Sequence, residues 1–223
     1  MNYVKRDPMH PSRCNEAVAM PLNAAQEQAM IAAAAEKIGE LFDVLLIDHR
    51  NDHNTWETPG RVARMMVREL LRGRFSAPPE ITEFENAEGF DHLIVTGPIA
   101  VRSTCAHHLM PIYGEAFVGV VPAPDGRIIG LSKYDRIVDH FAGRFQIQEE
   151  LVKQVATFIE DMTRPLGLAV RISAVHMCRT HRGVCTGHAN RMVSTAYCGG
   201  MLTNPALRDE FLRECHALGR DNR

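Results

Sequence analysis

Two short clusters, far apart in the chain, constrain the fold more than any other feature, because their chemistry makes sense only if the fold brings them together. One is Cys105-Ala106-His107-His108 and the other is His176-Met177-Cys178. Cys105 and His108 can reach one metal ion from a tight turn, and Cys178 supplies a second thiolate when the chain returns. Three protein ligands leave a position on zinc for water, whose pKa the metal lowers toward neutrality, so this Cys₂His set points to hydrolytic chemistry. The gap between the clusters matches no zinc-finger pattern. Adjacent His107 and His108 are hard to explain as packing, since buried imidazoles need hydrogen-bond partners. Cys14, Cys198 and Cys215 read as small hydrophobes, with Cys185 and His181 as reserve ligands.

Composition fits an intracellular enzyme. A length of 223 residues allows one sizeable core plus a smaller helical part. A net charge of −2 gives no global drive toward nucleic acid or a membrane surface. The cysteine spacings suggest metal rather than a disulfide framework, hence a reducing compartment. Lys5 and Arg6 precede no apolar stretch before Pro21, and no long uncharged apolar run follows, so the cytoplasm is expected.

Three sections are expected. Residues 1–22, with Pro8, Pro11 and Pro21, read as a weakly ordered tail. Residues 23–90 read as helical. Asn23 and Gln26 form a capping-box pattern ahead of Met30, Ile31, Ala34, Ile38, Leu41, Phe42 and Leu45 at helical spacing, and a second helix opens at Thr58-Pro59 and ends near Gly73. Residues 91–223 read as the catalytic domain. Strands are predicted over 93–101, 116–121 and 168–175, with Pro122, Pro124 and Gly126 turning the second into a hairpin with 127–131. One helix, capped by Ser132 with Asp135, and another from Gln148 to a stop before Pro165 lie between strands, and a short helix begins at Ala206. Helices followed by a mostly antiparallel sheet with packed helices make an α+β fold.

Residues two apart on a strand face the same side, so His176 and Cys178 are both expected to point at the metal pocket, one ligating while the other moves protons. A strand running into a capped helix at Leu131-Ser132-Lys133 offers free N–H groups to an anion, with Lys133 and Arg136 adding charge. Ordinary capping with solvated basic residues is the alternative. Arg61, Arg64, Arg68 and Arg72 line one helix face, most simply as a solvated stripe. The carboxylates of Gln146-Ile147-Gln148-Glu149-Glu150 read as helix-start charges.

Several segments together resemble GTP cyclohydrolase I: Thr58 to Arg64, Ser103 to His108, Ile129 to Val138, Gln146 to Glu149, His176 to Cys178 and Arg182-Gly183-Val184. The resemblance runs from about residue 24 to 214 in the family's order. It implies a tunnelling fold, a homodecamer of two pentameric rings with interfacial sites, and conversion of GTP and water to 7,8-dihydroneopterin triphosphate and formate in folate and pterin synthesis. It implies Zn²⁺ on Cys105, His108 and Cys178, with His107 and His176 as acid/base residues. Glu149 would read the guanine edge, and Ser132, Lys133, Arg136 and Arg182 would hold the triphosphate with Arg64, where the family usually has lysine.

Two departures stand out. Ala106 occupies a position where the family most often has glutamate, and Cys185, Gly187, His188 and Arg191 follow the Arg182-Gly183-Val184 segment in place of a basic residue and a Ser/Thr-rich strand. Two alternatives therefore remain: a divergent tunnelling-fold enzyme on another purine nucleotide or pterin, and a non-catalytic zinc-binding partner of a true cyclohydrolase.

Overall fold

The computed structural model describes residues 12–187 and 189–220, so Lys5, Arg6, Pro8, Pro11 and His188 lie outside the described residues. The first helix, α1 (Ala24–Val44), opens on the expected capping box, with the Asn23 side chain accepting from the Gln26 backbone and the Gln26 side chain accepting from the Asn23 backbone. It packs through Ile31 against Ala63 and Val67. The helix expected from Thr58 is interrupted. It runs as α2 (Thr58–Arg64), widens into a π-helical turn over Met65–Leu70, and resumes as α3 (Arg72–Phe75). This turn breaks the arginine stripe, and the side chains then find separate partners: Arg61 pairs with Glu57, Arg68 with Glu27, and Arg72 clasps Asp139 at 2.9 and 2.5 Å.

The main sheet has five strands in the order β5-β2-β3-β6-β7: β2 (Ile94–Cys105), β3 (Pro111–Val121), β5 (Phe145–Gln146), β6 (Gly167–His176) and β7 (Arg191–Gly199). All neighbours are antiparallel except β2 and β5. The hairpin expected between 116–121 and 127–131 does not form. Instead β4 (Arg127–Ile129) pairs antiparallel with β1 (Glu83–Glu85), inside the section expected to be helical. Pro122 offers no N–H to continue the ladder, and Asn86 fixes the exit by donating to Ala123 O at 2.9 Å. Strand β7, unread in the sequence, pairs along its whole length with β6.

Helices α4 (Leu131–Ala142) and α5 (Gln148–Thr163) cover one sheet face. Alternation on β6 sends Leu168, Val170, Ile172 and Ala174 toward Ile137, Val138, Leu151, Val155 and Ile159. Among the described residues the opposite face is covered at one end, by α7 (Gly200–Thr203) and α8 (Pro205–Arg220), where Met201, Phe211 and Cys215 meet Phe117, Val121 and Ala169. Cys215 is buried and Cys198 packs at the core margin, as expected, whereas Cys14 is exposed.

Residues 12–22 are tied down by named bonds. Buried Asn15 accepts on its carbonyl from Arg144 Nη1 at 3.1 Å and Gln154 Nε2 at 3.0 Å, and Arg74 donates to Arg13 O and Glu16 O. Arg144 is itself buried under the Phe141 ring and also donates to Gly73 O and His140 Nε2. Gly73 has no alternative here, because a Cβ would stand 1.7 Å from His140 O.

Candidate metal centre and active site

Three strand ends converge on the thiol pair. Strand β2 delivers Cys105 to the mouth of a hairpin whose loop, 106–110, closes by Leu109 N–H donating to Cys105 O at 2.9 Å and Cys105 N–H donating to Met110 O at 2.8 Å. Leu109 takes the left-handed conformation that so tight a loop requires. Strand β5 runs alongside, and Gln146 O accepts from Ala106 N–H at 3.0 Å. Strand β6 ends at His176, on the face that carries Leu168, Val170, Ile172 and Ala174.

The expected strand geometry at Cys178 needs correction. The strand stops at His176, and Met177–Thr180 forms one helical turn, so Cys178 reaches the pocket from that turn rather than by strand alternation. The outcome for the site is similar. One donor atom each from Cys105, His176 and Cys178 lies within 4.8 Å of the others. His108, the imidazole expected in the metal set, is exposed on the hairpin loop and outside that group, and His176 occupies its place beside the thiols. His107 is also exposed, with Nδ1 3.9 Å from Cys105 Sγ.

Electrostatics fit a soft cation. Burial pushes the Cys178 thiol up, and the neighbouring Cys105 thiol raises it further, while Arg182 pulls the other way. Two sulfurs held together in partly dehydrated space, with an imidazole, suit a metal that deprotonates thiols and accepts nitrogen. His176 is pushed below its usual value, first by burial and then by Arg179, against the pull of Glu149. Its Nε2 meets Gln148 Oε1 at 2.8 Å. Gln148 carried no role in the sequence reading; a glutamine at the first position of an amphipathic helix, on the buried side, was the available signal.

The expected substrate residues are dispersed around this centre. Glu149 is exposed at the start of α5, next to Gln148. Ser132 does not cap α4; Gly130 holds that position, without a side-chain bond, and Ser132 stands exposed in the first turn. Lys133 Nζ donates to Glu80 O at 3.0 Å. Arg136 lines a cavity of about 620 Å³ with Arg68, Arg72 and Arg102, and none of the thiol cluster lines it. Arg64 is exposed on α2, and Arg182 is exposed after the helical turn that carries Cys178. Within one chain the basic groups therefore form no single cradle. Ala106 is half-buried between Cys105 and His107, and Cys185 is exposed in a left-handed conformation.

Residues 34–216 match the family model described as GTP cyclohydrolase I. The chain is 41% identical over 156 residues to GTP cyclohydrolase 1 of Streptomyces avermitilis, covering 70% of this chain and 76% of that one. It is 40% identical over 174 residues to GTP cyclohydrolase 1 of Shewanella loihica, covering 78% and 79%. With a Cys-His-Cys group able to hold a metal at the place where the two sequence clusters meet, these matches converge. The chain belongs to the GTP cyclohydrolase I family.

Proposed function

We propose that this chain is a zinc-dependent GTP cyclohydrolase I that converts GTP and water to 7,8-dihydroneopterin triphosphate and formate. The observation that carries the reading is the donor group of Cys105, His176 and Cys178, within 4.8 Å of one another, in a chain of this family. Bound there, zinc supplies Lewis acidity and makes water nucleophilic near neutral pH.

The chain's own residues supply the rest. Guanine C8 is a poor electrophile, so attack there needs a proton delivered to N7, and His107 beside Cys105 is assigned that delivery. His176 holds and returns protons during ring opening and reclosure. Cys105 and Cys178 would provide the thiolates to the metal, and His108, exposed on the adjoining loop, would be the third ligand. The place that His176 already occupies favours a second arrangement, with His176 in the metal set. Glu149, exposed beside the centre, accepts two hydrogen bonds from guanine N1–H and the 2-amino group. Ser132, Lys133, Arg136, Arg182 and Arg64 hold the triphosphate.

Their dispersion in one chain supports a site completed by neighbouring subunits, in a homodecamer of two pentamers. The exposed Val44, Leu45, Leu46 and Trp56 supply apolar surface for such assembly. A cytoplasmic enzyme binding neither membrane nor nucleic acid accords with the net charge of −2; among the described residues no helix is long and apolar enough to cross a membrane. Residues 91–223 serve as the catalytic unit and 23–90, helical apart from β1, as its partner.

Metal analysis combined with formate assays tests this reading. His107→Ala and His176→Ala should abolish formate release from GTP with zinc retained, whereas His108→Ala should lose zinc. Zinc lost from His176→Ala and kept in His108→Ala would establish the second arrangement, and wild-type turnover in either His107→Ala or His176→Ala would refute the acid/base assignment.

A further inference from the structure

Gln148 is 1% exposed, yet every polar atom of its side chain is engaged. Its amide nitrogen stands 3.1 Å from Ile172 O, 3.1 Å from Met192 O and 3.0 Å from Ser194 Oγ, and its Oε1 stands 2.8 Å from His176 Nε2. Two of those neighbours are backbone carbonyls of β6 and β7, which only accept, so the amide cannot turn over without setting its oxygen against them. Gln148 Oε1 therefore faces His176 and also only accepts. The hydrogen between them belongs to the imidazole.

We propose that Gln148 is a positioning residue that holds His176 as the Nε2–H tautomer, leaving the lone pair on Nδ1. The proposal rests on the functional reading above for its catalytic consequence, but not for its geometry. In either arrangement His176 needs one defined nitrogen free, as a ligand or as a proton acceptor. An amide oxygen held against Nε2 fixes which one. The strand pairing of β6 with β7 makes the fixture rigid, because Ile172 and Ser194 are themselves register partners.

Ring-nitrogen NMR on the purified protein, with histidines isotopically labelled and the His176 signal assigned from His176→Ala, tests the proposal alongside steady-state kinetics. The wild type should show His176 as the Nε2–H tautomer at neutral pH. Gln148→Met, similar in length but without an acceptor, should show mixed tautomers, with kcat lowered roughly 10–100-fold and KM for GTP little changed. Gln148→Asn, an amide too short to reach, takes its place should Gln148→Met not fold. An Nδ1–H or doubly protonated His176 in the wild type would overturn the proposal, as would a variant that changes only the tautomer or only kcat. The tautomer is read without turnover: an Nε2–H signal in a protein inert toward GTP would sink the assigned reaction and leave the geometry standing.

Discussion

Acidification should destabilise this protein through one buried imidazole, and the size of the effect follows from its surroundings. His140 is 7% exposed on α4, and its Nε2 accepts from Arg144 Nη2 at 2.8 Å. Burial first, and then the Arg144 charge, push its pKa down from 6.5 to about 4. An arginine this far below its own pKa always donates, so protonating His140 sets N–H against N–H inside the core. The folded-state pKa lies below the unfolded one, so the unfolded chain takes up the proton first. Stability is fully present above pH 6.5 and is lost as pH falls toward 4. At about 1.4 kcal/mol per tenfold change in proton activity, falling to pH 5 costs about 2 kcal/mol. His140 also lines the 620 Å³ cavity, and water there screens part of the charge, bringing the cost nearer 1 kcal/mol. For a chain of this length that lowers Tm by roughly 2–4 °C. Asp139 stays outside the window, because Arg72 holds its carboxyl below the usual range. The comparison is His140→Gln, whose amide oxygen accepts from Arg144 without titrating. Thermal unfolding of both proteins at pH 7 and pH 5 isolates the imidazole from all other groups. Parallel losses in wild type and variant would refute the argument.

Other outcomes follow from particular contacts. Cys178→Ala should lose the roughly one zinc per subunit of the wild type, measured by elemental analysis, because one thiolate and one imidazole leave the site short of a ligand. Glu149→Gln should weaken GTP binding far more than it lowers zinc content, since an amide presents one acceptor and one mismatched donor to the guanine edge; unchanged affinity by calorimetry would remove Glu149 from recognition. Phe211→Ala should cost about 3–5 kcal/mol of stability in denaturant titration, because this fully buried ring packs over Gly119 and against Phe117 between α8 and the sheet.

Regular patterns were legible in the sequence, and compensating contacts were not. The capping box at Asn23, the strand alternation that continues to His176 and the α5 periodicity each depend on neighbours a few residues away, and each appears as read. The pairing of β4 with β1 was not readable, because the partner strand has three residues and its hold depends on Asn86 reaching Ala123. Nor was the helical turn at Met177–Thr180, since His-x-Cys spacing suits a strand as well. Both cysteines of the candidate site were singled out by their close spacing to histidines in two short clusters. Which imidazole lies beside them depends on side-chain placement: His176 is held there by Gln148, while His108 extends from a loop into solvent. Buried Arg144 and Asn15 join the N-terminal segment to α4 through backbone carbonyls, which leave no trace in side-chain periodicity.

The assignment of GTP as substrate is tested most directly by incubating the purified protein with GTP and, in parallel, other purine nucleotides, and quantifying formate and pterin products. Ala106 stands beside Cys105 where the resemblance to the family implies a glutamate, and this bears on substrate choice. One formate is expected for each GTP consumed, matched by 7,8-dihydroneopterin triphosphate, with metal removal abolishing both and zinc restoring them. Negligible formate from GTP together with robust turnover of a different nucleotide would contradict it.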